Sequence, residues 1–280
     1  MYGWKVNLSS FQRLLPHKQK AEPCKKDKIE LKMIIGRYPS VKQVSDTQRI
    51  SMVKEIFSTI TGKYDFLNHF LSLWQDVIWR RFAVNKMRFF KTFRFLDVAT
   101  GTSDLAIQAA VRHKNIRVTG LDFVQKMLVL GKKKVKRKNL SERIRMLNGD
   151  ALNIPFPPDS FDVAGIAFGI RNIPDKIDAL KEMTRVVVPG GQVMVIEMSF
   201  PGTPFFRRIY YIYLKVILPS LARVFSPNPD AYHYLGDSIM NFPSASDFAH
   251  KMELAGLVDV KYYPLTLGIT YLYIGYKNDS

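Results

Sequence analysis

The chain of 280 residues carries 42 lysines and arginines against 24 aspartates and glutamates, a formal net charge of +18, and 47% of its residues are hydrophobic. That length supports one sizeable core with appendages, and no apolar run is long enough to cross a bilayer. A single cysteine, Cys24, excludes an intrachain disulfide and a thiolate metal cluster, while the basic balance favours a polyanionic partner such as nucleic acid or an anionic membrane surface.

Residues 1–45 read as a basic tail. Lys18, Lys20, Lys25, Lys26 and Lys28 cluster around Pro16 and Pro23 without a sustained apolar period. The first residues lack the apolar stretch and small-residue cleavage site of a secretory signal. The compact domain is expected to begin near Ser45 and to occupy 46–280. From Asp46 to Phe90 apolar residues recur at helical spacing: Val53, Phe57 and Ile60, then Phe66, Leu67, Phe70 and Leu71. The period then changes. Phe93–Ala99 reads as a buried strand, Ser103–Arg112 as a helix, Ile116–Leu121 as a second strand and Gln125–Lys138 as a basic helix. Ile144–Asn148 and Phe161–Phe168 read as the third and fourth strands. Lys176–Val188 reads as a helix closed by Pro189-Gly190-Gly191, and Gln192–Glu197 as a fifth strand. Strands alternating with helices of this length imply parallel βαβ units and an α/β fold. Further on, Phe205–Phe225 mixes large apolar side chains with Arg207, Arg208, Lys215 and Arg223. It is too interrupted by charge to span a bilayer; it suits an element lying in the membrane interface, or a helix covering the core.

Ligands of such sheets sit beyond the carboxyl ends of the strands. Acids mark those ends here: Asp97 before the first loop, Asp122 after the second strand, Asp150 after the third. The first loop, Ala99-Thr100-Gly101-Thr102-Ser103, lacks both the G-x-G-x-x-G of a dinucleotide site and the G-K-[ST] of a P-loop. A small loop with hydroxyls at a helix start suits a nucleoside without phosphates, one ending in an amino-acid carboxylate. Asp122 lies about 20 residues past the loop, where such folds place the carboxylate that grips ribose hydroxyls. Asp150 and Ala151 would then face the adenine. This is the layout of S-adenosylmethionine enzymes; an ordinary strand–turn–helix junction is the competing reading.

Several longer segments carry a resemblance. They are YDFLNHFLSLWQDVIWRR (Tyr64–Arg81), FLDVATGTSDL (Phe95–Leu105), GDALNIPFPPDSFD (Gly149–Asp162), FGIRNIPDKIDALKEMTRVVVPGG (Phe168–Gly191), AYHYLGDSI (Ala231–Ile239) and YYPLTLGITYLYIGYK (Tyr262–Lys277). From about Asp46 to Lys277 the chain resembles the ubiquinone/menaquinone biosynthesis C-methyltransferases, the UbiE-type family. The resemblance implies a Rossmann-like class I S-adenosylmethionine-dependent methyltransferase fold, with a mostly parallel seven-stranded sheet and helices on both faces. Residues 200–245 would be a substrate-covering or membrane-facing insertion. It implies S-adenosylmethionine as methyl donor and a ring carbon of a polyprenylated quinol as acceptor. By position, Asp97, Gly101, Thr102, Asp122, Phe123, Asp150, Ala151 and Ala167 look like the donor-binding set. Arg171 and Asn172 look like the catalytic pair, and Tyr64 and Asn68 like acceptor contacts. The family often has serine where this chain has Ala167, and a glycine-richer first loop than Thr100 and Ser103 provide.

The chemistry fits those roles. The sulfonium methyl is already electrophilic, so the protein must supply in-line placement and an activated carbon. A hydroquinone carbon becomes nucleophilic when the neighbouring hydroxyl loses its proton. Arg171 stays protonated, so its part is to stabilise the phenolate rather than to take the proton; a structural bridge from Arg171 to Asp175 or Asp178 is the alternative. The histidines show no metal-ligand spacing. The expected setting is cytoplasmic, peripheral to the inner face of the membrane, with the quinol, an anionic membrane surface and a second copy of the chain as partners and no nucleic acid. The rival readings are an RNA or DNA methyltransferase and a non-catalytic scaffold for quinone synthesis. Against the first, the segment after the fourth strand reads Phe168-Gly169-Ile170-Arg171-Asn172 rather than Asn/Asp-Pro-Pro-Tyr/Phe.

Overall fold

The computed structural model describes residues 38–279 apart from 42, 61–63 and 227; most of the expected tail therefore lies outside the described residues. Three helices lead in: α1 (Asp46–Ile60), α2 (Tyr64–Leu71) and α3 (Gln75–Val84). The alternating part follows with β1 (Arg94–Val98), α4 (Asp104–Arg112), β2 (Arg117–Asp122), α5 (Gln125–Arg137), β3 (Ile144–Asn148), β4 (Phe161–Ala167), α6 (Lys176–Val186) and β5 (Val187–Met198). Next come α7 (Pro204–Ile212), α8 (Leu218–Phe225), α9 (Asp230–Met240), α10 (Ala245–Leu254), β6 (Leu257–Leu265) and β7 (Thr270–Lys277).

The strands form one seven-stranded sheet in the order β3-β2-β1-β4-β5-β7-β6. The pairings from β3 to β5 are parallel; β7 runs antiparallel to β5 and β6. The central strands are buried on both faces, which is why they read as continuous apolar runs. On one face α6 and α10 pack Leu180, Met183, Phe248 and Met252 against Leu96, Ile166 and Val195. On the other, α3 and α4 pack Trp79, Val84, Leu105 and Ala109 against Phe95, Val163 and Met194. A third apolar cluster joins α1 and α2 to the α7–α9 segment through Val53, Ile56, Leu67, Leu214, Leu218 and Tyr232.

Two sequence expectations need correction. The helix expected over Lys176–Val188 ends at Val186, and Pro189-Gly190-Gly191 lies inside β5 rather than beyond a helix. The register between β4 and β5 shifts there, and a Cβ on Gly191 would lie 2.7 Å from the Val188 carbonyl and 2.9 Å from that of Asp162. The glycines thus serve a bulge, not a helix stop. The compact domain also begins earlier than Ser45: Tyr38 and Val41 are buried, and the Val41 N–H and Ser40 hydroxyl donate to Asp237 of α9.

Candidate functional site

The first loop is held open by unusual backbone. Ala99 (φ 51), Gly101 (φ 54) and Ser103 (φ 71) all lie in the left-handed region. For the two residues with a side chain this costs roughly 1–2 kcal/mol each, and such strain gathers at ligand sites. The loop is tied down on both sides. Thr100 N–H donates to the Leu121 carbonyl at 3.0 Å, and Gly101 N–H to Asp122 Oδ2 at 2.8 Å. The other carboxylate oxygen of Asp122 accepts from Val124 N–H at 2.8 Å. Burial pushes the Asp122 carboxyl up, while those two N–H groups pull it down. Each oxygen keeps a lone pair for a further donor.

A pocket opens beside this carboxylate. It is lined by Gly101, Asp122, Phe123, Asp150, Ala151 and Ala167, together with Phe168 and Asn172. Six of the eight residues expected to hold the donor therefore meet in one cavity. Two do not reach it. Asp97 sits fully buried beneath the loop, accepting from Thr100 Oγ1 at 2.5 Å and Ala106 N–H at 3.1 Å; burial pushes its carboxyl up to about 7. Gly120, its neighbour on β2, leaves the space: a Cβ there would lie 2.9 Å from the Thr100 side chain. Thr102 turns the other way. Its hydroxyl donates to Asp65 of α2 at 2.5 Å, and Lys134 of α5 bridges Asp65 and Asp104 at 2.7 and 2.5 Å. Thr102 thus latches the loop to α2.

Past β4, Phe168 (φ 59) turns the chain into a short 3-10 turn, Ile170–Asn172. This turn aims Arg171 at the end of β5. Arg171 Nη1 pairs with Glu197 Oε1 at 2.6 Å, and the Arg171 N–H donates to Glu197 Oε2 at 3.0 Å. Nη1 also donates to the Phe168 carbonyl. The Glu197 side chain is wholly buried. The bridge from Arg171 to Asp175 or Asp178 is not formed: Asp175 caps α6, and Asp178 pairs with Lys181. Asn172 accepts from the Tyr234 hydroxyl at 3.1 Å.

A larger cavity of about 340 Å³ lies on the far side of Phe168. Its walls are mainly apolar and aromatic, including Ile56, Leu71, Trp79, Tyr210, Leu214 and Tyr232. Arg171, Asn172 and Asn68 line it; Tyr64 opens α2, but its side chain lies outside the described residues. One polar corner holds Asp76, which accepts from His69 Nδ1 at 2.8 Å, Ser72 Oγ at 2.7 Å and Arg80. Burial raises its pKa, but Arg80 and the other donors outweigh this and leave the Asp76 carboxyl below its usual range. The sequence reading missed Glu197, Asp76 and Phe168. Glu197 had a signal, since it closes the fifth strand as Asp122 closes the second.

The seven-stranded, mostly parallel sheet, with a pocket at its strand ends, is the fold of the class I S-adenosylmethionine-dependent methyltransferases. Among solved structures, a Thermotoga maritima S-adenosylmethionine-dependent methyltransferase described as a possible histamine N-methyltransferase shares this fold. Its TM-score is 0.54 at 21% identity, over 80% of this chain and 99% of that one. The model of the ubiE/COQ5 methyltransferase family matches residues 42–277, and the chain belongs to that family. Among curated proteins, the ubiquinone/menaquinone biosynthesis C-methyltransferase UbiE of Geotalea daltonii is 43% identical over 82% of this chain and 98% of its own length. The demethylmenaquinone methyltransferase of Staphylococcus epidermidis is 39% identical over 81% of this chain and 94% of its own length.

Proposed function

We propose that this enzyme transfers the methyl group of S-adenosylmethionine to a ring carbon of a polyprenylated quinol in respiratory quinone synthesis. The acceptor is demethylmenaquinol, the benzoquinol precursor of ubiquinone, or both. The observation that carries the reading is the shared wall: Phe57, Phe168 and Asn172 border both the strand-end pocket and the large apolar cavity. A donor in one pocket and a quinol ring in the other would meet across it, with Arg171 on the acceptor side.

In the donor pocket, Asp122 takes the ribose hydroxyls, and Asp150 with Ala151 borders the adenine. Loss of the quinol hydroxyl proton leaves a phenolate, whose charge the Arg171 guanidinium stabilises. Glu197 holds that guanidinium in place. The ring carbon then forms its bond to the methyl as the carbon–sulfur bond breaks, its electron pair returning to sulfur as a thioether. Loss of the ring C–H proton restores the aromatic phenolate, whose oxygen takes a proton back, so each turnover releases one proton overall. Asn68 and the Asp76–Arg80 corner offer hydrogen bonds to the far edge of the ring.

The prenyl tail has a way out. Phe206, Ile209, Leu73 and Leu267 line the cavity, and around them Phe66, Trp74, Ile78, Phe205, Val216 and Val224 are exposed. Phe70 meets Phe225 edge to face at 5.8 Å and the Tyr213 hydroxyl donates to the Leu71 carbonyl at 2.6 Å, which joins α2 to the α7–α8 segment in one surface. With Arg207, Arg208, Lys215 and Arg223 among these residues, the surface suits an anionic bilayer. No helix among the described residues is long and apolar enough to cross a membrane. The chain is read as peripheral to the inner face of the membrane, with a homodimer as a second association. Quinone profiling of a deletion strain tests the reading: demethylated quinol should accumulate and disappear on complementation, and an unchanged quinone profile would exclude it.

A further inference from the structure

A third cavity, of about 400 Å³, lies behind the Ile170–Asn172 turn and belongs to neither the donor nor the acceptor pocket. Its walls bring together Arg49 of α1, Lys176 at the start of α6 and Lys251 of α10, with Arg171 at the inner end. Among the described residues, none of Arg49, Lys176 and Lys251 has a carboxylate within salt-bridge distance. Asp46 and Asp175 line the same cavity, but Asp175 is taken by the Asp178 N–H at the cap of α6. Lys176 Nζ donates to the Ile173 carbonyl at 2.9 Å, leaving two of its three protons. Arg49 Nη2 donates to the Arg171 carbonyl at 2.6 Å, while its buried Nε has no hydrogen-bond partner among the described residues. Burial and the Arg49 and Lys251 charges pull Lys176 down to about 8, against the opposing pull of Glu197 and Asp175. Three cations are therefore gathered at one site without a direct ion pair of their own, with Asp46 and Asp175 as the carboxylates of the same cavity. The first turn of α6 adds the positive end of its dipole.

We propose that this cavity is a binding site for a phosphate-class oxyanion, held by Arg49, Lys176 and Lys251. The site lies one hydrogen bond behind Arg171, because Arg49 would link the bound anion to the Arg171 carbonyl. Occupancy would neutralise the cluster and firm the turn that carries Arg171. The ligand could be a free phosphorylated metabolite or the headgroup of an anionic lipid; both present the same oxygens.

The test uses the full chain and inorganic phosphate, titrated by calorimetry at fixed ionic strength and neutral pH. Saturable one-to-one uptake is expected. Each of Lys176→Gln and Lys251→Gln should weaken it roughly tenfold, the loss expected for one charge-assisted contact. Lys133→Gln, on exposed α5, should leave it as in the parent. S-adenosylmethionine uptake, measured on each variant, checks that the fold is intact. Vesicles of phosphatidylglycerol, against phosphatidylcholine alone, separate the two sources: displacement of phosphate by the anionic vesicles assigns a lipid headgroup, and its absence a free anion. Failure of the parent to bind phosphate saturably overturns the proposal. So does equal binding by the parent and a Lys176→Gln/Lys251→Gln double variant that still takes up S-adenosylmethionine, which would put the ion elsewhere on this basic chain.

Discussion

Glu197→Gln keeps the shape of a buried side chain and removes its charge. The carboxylate accepts from the Arg171 guanidinium at 2.6 Å, the Arg171 N–H at 3.0 Å and the Met198 N–H at 2.8 Å. No part of its side chain is exposed, and that of Arg171 is 8% exposed. Solvent therefore cannot compensate the guanidinium when its partner is neutralised. Breaking a buried pair by removing one charge costs about 3–5 kcal/mol. In a domain of this size each kcal/mol moves the melting temperature by about 2–4 °C. Tm should fall by roughly 6–20 °C, read by differential scanning calorimetry with and without S-adenosylmethionine. The same change frees the guanidinium to shift, and a misplacement of about 1 Å costs on the order of 10²-fold in kcat. Adding Arg171→Met should restore part of the stability, because no buried charge is then left unpaired, but none of the activity. A Tm within about 2 °C of the parent together with an unchanged kcat would show that Glu197 neither stabilises the site nor positions Arg171.

Other outcomes follow from the same geometry. Asp97 is buried with its carboxyl pushed up to about 7, so the donor-free enzyme holds it partly protonated at neutral pH. Because folding favours the protonated form, stability without donor should fall as pH rises from about 4 to about 7 and then level off. The cationic donor favours the ionised form. S-adenosylmethionine uptake should therefore release up to one proton near neutrality and tighten with pH up to about 7; calorimetry in buffers of different ionisation enthalpy reads this, and a pH-independent affinity would count against it. Asp65→Asn removes the charge that Lys134 bridges and weakens the latch on Thr102. It should raise the KM for S-adenosylmethionine more than it lowers kcat, and a change in kcat alone would contradict the latch. Ile209→Asp, at an exposed position lining the acceptor cavity, should lower binding to vesicles and raise the KM for a long-tailed quinol, while a tailless analogue reacts as before. Equal effects on both substrates would argue against tail passage there.

Much of the fold was written in local pattern. The central parallel strands β1 and β4 are buried on both faces, so they read as short apolar runs, and Asp97, Asp122 and Asp150 mark the ends of β1, β2 and β3. Asp122 could be placed beside the first loop because its distance from Gly101 reflects one βαβ unit. The failures have a common cause, which is that their partners are remote in the chain. Pro189-Gly190-Gly191 looks like a helix stop, and only the register of β5 against β4 shows that Gly191 is needed to clear the Val188 and Asp162 carbonyls. Arg171 had acids close by in sequence, yet the sheet delivers Glu197 from 26 residues away. Thr102 carries a hydroxyl in the first loop, but that hydroxyl is taken by Asp65, 37 residues earlier.

The central claim is that a methyl group crosses from the Asp122 pocket to a quinol ring beside Arg171. Single turnover of purified enzyme with methyl-labelled S-adenosylmethionine and demethylmenaquinol in detergent or vesicles tests it most directly. The label should appear on a ring carbon in the parent, fall at least about 10²-fold in Arg171→Gln with donor affinity retained, and be lost with donor binding in Asp122→Ala. Label on oxygen, or undiminished transfer by Arg171→Gln, would contradict the account.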